Sequence, residues 1–180
     1  MKIRVLLSAL YDSDGEPPHY QTRLHCGKGE FDVNRVDTTH RLENLRFQMR
    51  RVDAIHGPPI QAFIITSDDE HQSENVPEHD RRMEYITGFT GSQGEAVVTE
   101  TKAALWIDGR YFLQADRELD CNWQLMRAGL PNVSNMTKWL KDTLKPGSRV
   151  GADARIIANY VWETWREELG NAFYNPSSSV

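Results

Sequence analysis

The chain has 180 residues, 39% of them hydrophobic and 26% charged, with 21 basic and 26 acidic side chains and a formal net charge of −5. That is enough chain to bury one core without staples, and too apolar a composition for wholesale disorder. The interspersed charges with an acidic excess argue against nucleic acid or an anionic membrane surface as the main partner, and no stretch approaches the roughly eighteen apolar residues of a membrane span.

MKIRVLLSAL opens the chain with two positive charges and a short apolar run. It faintly resembles a secretory signal, but the run is short and polar residues follow at once instead of a small-residue cleavage site. Residues 12–36 are polar, Gly- and Pro-containing and without period, so residues 1–36 are expected to be a leader or irregular segment. Asp37-Thr38-Thr39 predicts the cap of a helix running to about Arg51, with Leu42, Leu45, Phe47 and Met49 as its apolar contacts and His56-Gly57-Pro58-Pro59 as its stop. Gln61 to Thr66 is a continuous β-branched and aromatic run, the pattern of a strand covered on both faces.

After the acidic stretch SDDEHQSENVPEHD and the segment RRMEYITGF, Gly88, Gly91 and Gly94 recur every third residue. This is neither a dinucleotide fingerprint nor a P-loop, and it reads as turn glycines leading into a strand over Glu95 to Thr99. Thr101-Lys102 turns the chain into a second strand, Ala103 to Ile107, completing a hairpin. A helix over 109–119 follows, capped by Asp108, with Phe112, Ala115 and Leu119 on one face. Asn122 to Arg127 predicts a strand, Ser134 to Leu144 a helix, Arg149 to Ala152 a short strand, and Ile156 to Leu169 a helix carrying Trp162 and Trp165. The domain thus occupies 37–170, followed by a tail over 171–180 expected to be disordered. The fold class is α/β, a mixed β-sheet flanked by helices.

Arg110 is the residue out of place. A helix amino terminus carries unpaired N–H groups and favours acidic side chains, so an arginine in the first turn is disfavoured. It reads either as a solvated arginine on a polar stripe beside Gln114 and Arg117, or as a guanidinium held at a strand end and aimed at an incoming anionic or carbonyl group. His71 and His79 sit among many carboxylates, but only His71 and Glu74 have helical spacing, so a solvated connection is expected there rather than a metal site. No serine or cysteine lies in a nucleophile elbow. Cys26 and Cys121 lack metal or redox spacing, and form either one disulfide closing a long loop or two buried thiols. Asn132-Val133-Ser134 and Asn135-Met136-Thr137 are candidate N-glycosylation sequons.

The pieces QAFIITSDDEHQSE, RRMEYITGFTGSQGEAVVT, KAALWIDGRYFLQADRELDCNWQLM and PGSRVGAD occur in the order and spacing of one known family. The chain from about residue 38 to 170 resembles the amino-terminal domain of the Xaa-Pro aminopeptidases (aminopeptidase P) of the creatinase/prolidase superfamily. Asn75 stands where the family's D-x-H-x-S-E-Y run has Tyr, and Gln93-Gly94-Glu95 departs from its S-A-G-T. The resemblance implies that Arg110, in the match to the family's W-T-D-G-R-Y-F, binds peptide substrate at an active site formed elsewhere. It implies that Cys121, within D-C-N-W, is of the secreted or membrane-attached kind, an extracellular location with the cytoplasm as the alternative.

The family's reaction, release of an amino-terminal residue ahead of proline, uses two divalent metal ions (Mn or Zn) held in a carboxy-terminal domain. No HGTGHG-like or EPGYY-like run occurs here. The resemblance therefore implies a chain without catalytic residues or cofactor of its own, inactive alone, whether a fragment, a truncated gene model or a short isoform. Its implied partners are that catalytic domain, proline-containing peptides and a second copy in a homodimer. The rival expectation is a stand-alone, non-catalytic interaction module of the same fold.

Overall fold

A computed structural model of the chain describes Cys26 and residues 35–51 and 57–170. The expected leader, apart from Cys26, Arg35 and Val36, and the expected tail over 171–180 lie outside the described residues. In chain order the elements are α1 (Thr39–Met49), β1 (Ala62–Thr66), a 3-10 turn (Glu78–Asp80), α2 (Arg82–Thr87), β2 (Glu95–Thr99), β3 (Ala103–Ile107), α3 (Phe112–Glu118), β4 (Gln124–Arg127), α4 (Met136–Thr143), β5 (Val150–Ala152) and α5 (Asn159–Leu169).

The five strands form one mixed sheet in the order β4-β3-β2-β1-β5. β2 runs antiparallel to both neighbours, whereas β1 with β5 and β3 with β4 are parallel, so four strands share one direction. Alternate side chains of each strand enter two cores. Ile65, Val98 and Leu105 pack with Leu42, Met49, Met83, Ile86 and Ala115 from α1, α2 and α3. Ile64, Val97, Ala104 and Trp106 pack with Trp139, Leu140, Trp165 and Leu169 from α4 and α5. Coverage on both sides explains why the strands read as continuous apolar runs rather than alternating ones.

α1 is fixed to the far end of the sheet by a buried polar clamp. Thr38 donates its backbone N–H (2.6 Å) and its hydroxyl (2.7 Å) to Asp120 Oδ2, and Trp123 Nε1 donates to the Thr38 hydroxyl at 3.0 Å. Asn122 adds its backbone N–H and side-chain amide to the same carboxylate, each at 2.9 Å. The Thr38 hydroxyl is thus spent on the clamp and does not cap α1, while Asp37 Oδ1 accepts the Thr39 N–H at 2.9 Å instead. Asp120→Ala is expected to lower stability by about 2 kcal/mol, since it strands the buried Thr38 donors, and Asp120→Asn by less. Urea unfolding checks it, and unchanged midpoints would remove the clamp from the account.

Several expectations need correction. α2 had no assigned element, being six residues long, but Met83, Ile86 and Thr87 bury one side of it and Gly88, at φ +74°, ends it in the left-handed region. Phe47 is 54% exposed rather than a core contact. α5 begins at Asn159 because Ile156 closes a turn onto Asp153, its N–H donating to the Asp153 carbonyl at 3.2 Å. Gly94 is required by close approach, since a Cβ there would lie 3.0 Å from the Trp106 carbonyl oxygen and 3.1 Å from Met83 Sδ.

Candidate functional site

Because β1, β3, β4 and β5 point the same way, their carboxyl ends line one edge of the sheet, where α/β proteins place ligands. Asp108 and Arg110 follow β3 on that edge. The helix expected from 109 starts only at Phe112, with Tyr111 at the cap position and no side chain capping it. Asp108 is engaged otherwise: its Oδ1 accepts the Arg110 backbone N–H (2.9 Å) and Nε (3.0 Å), and its Oδ2 accepts Nη2 at 2.7 Å. Arg110 Nη2 also donates to Gln93 Oε1 at 2.9 Å, and the guanidinium carbon lies 5.3 Å from the Tyr111 ring centroid.

Arg110 therefore lies in the turn before α3, and its neighbours are Asp108, Gln93 and Tyr111, not Gln114 and Arg117. The side chain is 66% exposed yet held in a bidentate fork. A long flexible cation is normally free to wander, so this one is pre-oriented. The Arg110 guanidinium holds the Asp108 carboxyl below its ordinary range, first by hydrogen bonding and then by charge, so the fork persists in mild acid. Arg110 Nη1 has no hydrogen-bond partner among the described residues, which leaves its two N–H groups available as donors on an exposed side chain.

β5 ends in the same device. Asp153 Oδ1 accepts the Arg155 backbone N–H and Nε, both at 3.1 Å, and Asp153 Oδ2 accepts Nη2 at 2.8 Å, while Nη1 lies 3.8 Å from Glu70 Oε1. Sequence reasoning passed over Arg155, although the D-x-R spacing after a short strand is visible at both places. Arg155 is tied to the acidic stretch, so of the two forks Arg110 is the less encumbered.

The other expected site residues lie apart. In the acidic stretch, Asp69 is buried and its Oδ1 accepts the backbone N–H groups of His71 (3.0 Å) and Ser73 (2.9 Å). The Ser73 N–H above all keeps this carboxyl below its ordinary value. The run builds a turn, and among the described residues no three His, Cys, Asp or Glu side chains converge as a metal would need. Cys26 and Cys121 are bonded to each other, their Cα atoms 5.5 Å apart. Cys121 precedes β4, so the pair sits at the edge opposite Arg110. Asn132 and Asn135 are exposed between β4 and α4, and Asn135 Oδ1 caps α4 by accepting the Lys138 N–H at 2.9 Å.

Glu95 opens β2 on the Arg110 edge. Burial, then the charges of Asp68 and Glu168, push its carboxyl above the ordinary 4.5. Raised folded values reverse the usual carboxylate linkage: the folded state binds this proton more tightly, so stability is lost as pH rises from 4.5 through the raised value. Glu95→Gln is accordingly expected to melt a few degrees above the parent at neutral pH, with the gap closing below 4.5. A gap that stays constant across the pH range would sink this assignment.

Comparison with known proteins places this geometry among relatives. Residues 41–180 match the family model described as the Creatinase/Prolidase N-terminal domain. The chain is 48% identical to Aminopeptidase P2 of Arabidopsis thaliana over 142 residues, 79% of this chain and 20% of that protein. It is 44% identical to Xaa-Pro aminopeptidase ApepP of Drosophila melanogaster over 135 residues, 75% of this chain and 22% of that one. The chain thus spans about a fifth of the length of these curated relatives. Among solved structures, the X-prolyl aminopeptidase of Caenorhabditis elegans, described as a cytosolic enzyme with a di-nuclear active site, superposes with a TM-score of 0.71 at 32% identity, covering 76% of this chain and 23% of that one. Among the described residues, no helix is long and apolar enough to cross a membrane.

Proposed function

This chain belongs to the creatinase/prolidase N-terminal domain family, and we propose that it acts as the non-metal-binding amino-terminal domain of an Xaa-Pro aminopeptidase. The observation that carries this reading is the Arg110 fork, an exposed guanidinium pre-oriented by Asp108 and Gln93 at the ligand edge of the sheet. A peptide held at a separate catalytic domain presents carbonyl and carboxylate oxygens, and an arginine aimed out of its own domain is suited to receive one of them. The described residues do not fit two divalent ions, Mn or Zn, so metal chemistry on this reading belongs to the catalytic domain and no step is assigned to it here.

The same reading makes the partners the catalytic domain, a peptide with proline second, and a second copy of the chain. The bond between Cys26 and Cys121 supports an oxidising, extracellular or membrane-attached setting, unlike that of the cytosolic nematode enzyme.

A domain exchange tests the proposal. The chain replaces the segment it matches in the Arabidopsis aminopeptidase, and release of the first residue from an Xaa-Pro peptide is measured with the chimera and with the 180-residue chain alone. Turnover by the chimera and none by the chain alone is the expected result. A folded, metal-loaded chimera without turnover would favour the stand-alone interaction module.

A further inference from the structure

β1, β2 and β3 meet in one cross-strand row at the ligand edge. Thr66 pairs with Glu95 and Glu95 with Trp106, so the three side chains leave the same face of the sheet, the face on which α5 lies. Val161 and Trp165 of α5 lie over the row, and Asp68 and Asp108 join its rim, enclosing an open cleft of about 290 Å³. Two of its walls are indoles, Trp106 and Trp165, only 4% and 6% exposed.

The charged lining is of one sign. The polar side chains of the cleft are the carboxylates of Asp68, Glu95 and Asp108, the hydroxyls of Thr66 and Ser67, and the amide of Gln93, whose oxygen already accepts from Arg110. Thr66 is 5% exposed, it points to this face by its pairing, and its hydroxyl has no hydrogen-bond partner among the described residues. Asp108 is taken by Arg110. Asp68 and Glu95 have neither an ion pair nor a hydrogen bond to a cation among the described residues, and Asp68 acts on Glu95 as a like charge. A buried hydroxyl without a partner and a half-buried carboxylate beside another are both unfavourable unless a donor arrives. Arg110 and Arg155 are each paired with their own aspartate and, among the described residues, form no ion pair with Asp68 or Glu95.

We propose that this cleft binds the protonated side chain of an arginine or lysine carried on a peptide, with Asp68 and Glu95 as its charge partners, the Thr66 hydroxyl as an acceptor and the two indoles as its walls. A guanidinium or ammonium offers only donors, which matches a lining rich in acceptors, and its alkyl stem and flat cationic head suit aromatic walls. The cleft shares Asp108 with the Arg110 fork, so a peptide reaching one is placed to reach the other. The proposal nevertheless stands on the cleft alone and holds whether or not the chain serves a peptidase.

The test uses the 180-residue chain labelled with nitrogen-15, in which five tryptophan indoles report directly. N-acetyl-arginine amide and N-acetyl-lysine amide are titrated at low salt, with N-acetyl-norleucine amide as the uncharged control. Saturable shifts of the Trp106 and Trp165 indole signals with both cations, and none with norleucine, are expected. Asp68→Asn and Glu95→Gln, each nearly isosteric, are expected to weaken binding about fivefold or more. Equal shifts with norleucine, no saturable shift, or affinities unchanged in both variants would overturn the proposal. Asp68→Asn with a dispersed spectrum carries the test independently of Glu95→Gln.

Discussion

Replacing Cys26 and Cys121 together by serine is expected to lower the stability of the chain by about 4 to 5 kcal/mol, seen as a lower urea midpoint. The bond closes a loop across a sequence separation of 95 residues, a span that contains α1, α2 and α3 and three strands. In the chain-entropy account its main effect is on the unfolded state, where it removes the freedom of that long loop. It also sits one residue from Asp120, so the tether and the Thr38–Asp120 clamp hold the same corner of the fold. Set against total stabilities of about 5 to 15 kcal/mol for a domain, the loss is large enough to leave the double variant only marginally stable. Equal midpoints for parent and variant, or free thiols at both positions in a peptide map of the native protein, would remove the bond and its share of the stability.

Arg110→Ala in the active chimera is expected to reduce kcat/KM by about ten- to a hundredfold, the range for losing a hydrogen bond to a charged group. Because the Arg110 side chain is mostly exposed, the variant's melting midpoint stays at the parent value, separating a substrate role from a structural one. Arg110→Lys is expected to recover little. A lysine cannot keep the two-point grip on Asp108 and still present a second donor group outward. Unchanged kinetics in Arg110→Ala would dissociate Arg110 from the peptide site and leave its fork as a surface ornament of β3.

Much of the fold could be read before any coordinates. The runs over 61–66, 95–99 and 103–107 are short, apolar and rich in residues suited to a covered sheet, and each is a strand in the structure. The hairpin followed from their separation. Phe47 was expected among the apolar contacts of α1, but helical spacing sets it nearly opposite Leu42, Leu45 and Met49, and it is exposed. What else escaped was decided by tertiary contact. Asp108 has the right type and place for a cap, but a charged partner two residues on outcompetes the backbone donors of α3.

The candidate site was legible only at its centre. Arg110 stood out against the preference of helix starts for acidic groups, whereas Arg155 attracted no notice because the short strand before it carries little local pattern. The row of Thr66, Glu95 and Trp106 was out of reach altogether. Register across three strands brings these residues side by side, and no spacing along the chain encodes it.

The order of the strands carries a consequence for how the chain folds. β2 and β3 are adjacent in sequence and can zip early, while β5 must find β1 across a sequence separation such as the 88 positions from Gln61 to Arg149, whose backbone N–H donates to Gln61 Oε1 at 2.8 Å. Closing so long a loop before any contact rewards it makes β5 the slow partner. Amides of β2 and β3 should gain protection from exchange first in a refolding experiment and those of β5 last, so that the carboxyl edge is completed as a unit only at the end, when the Asp153–Arg155 fork swings in beside an edge already bearing Arg110.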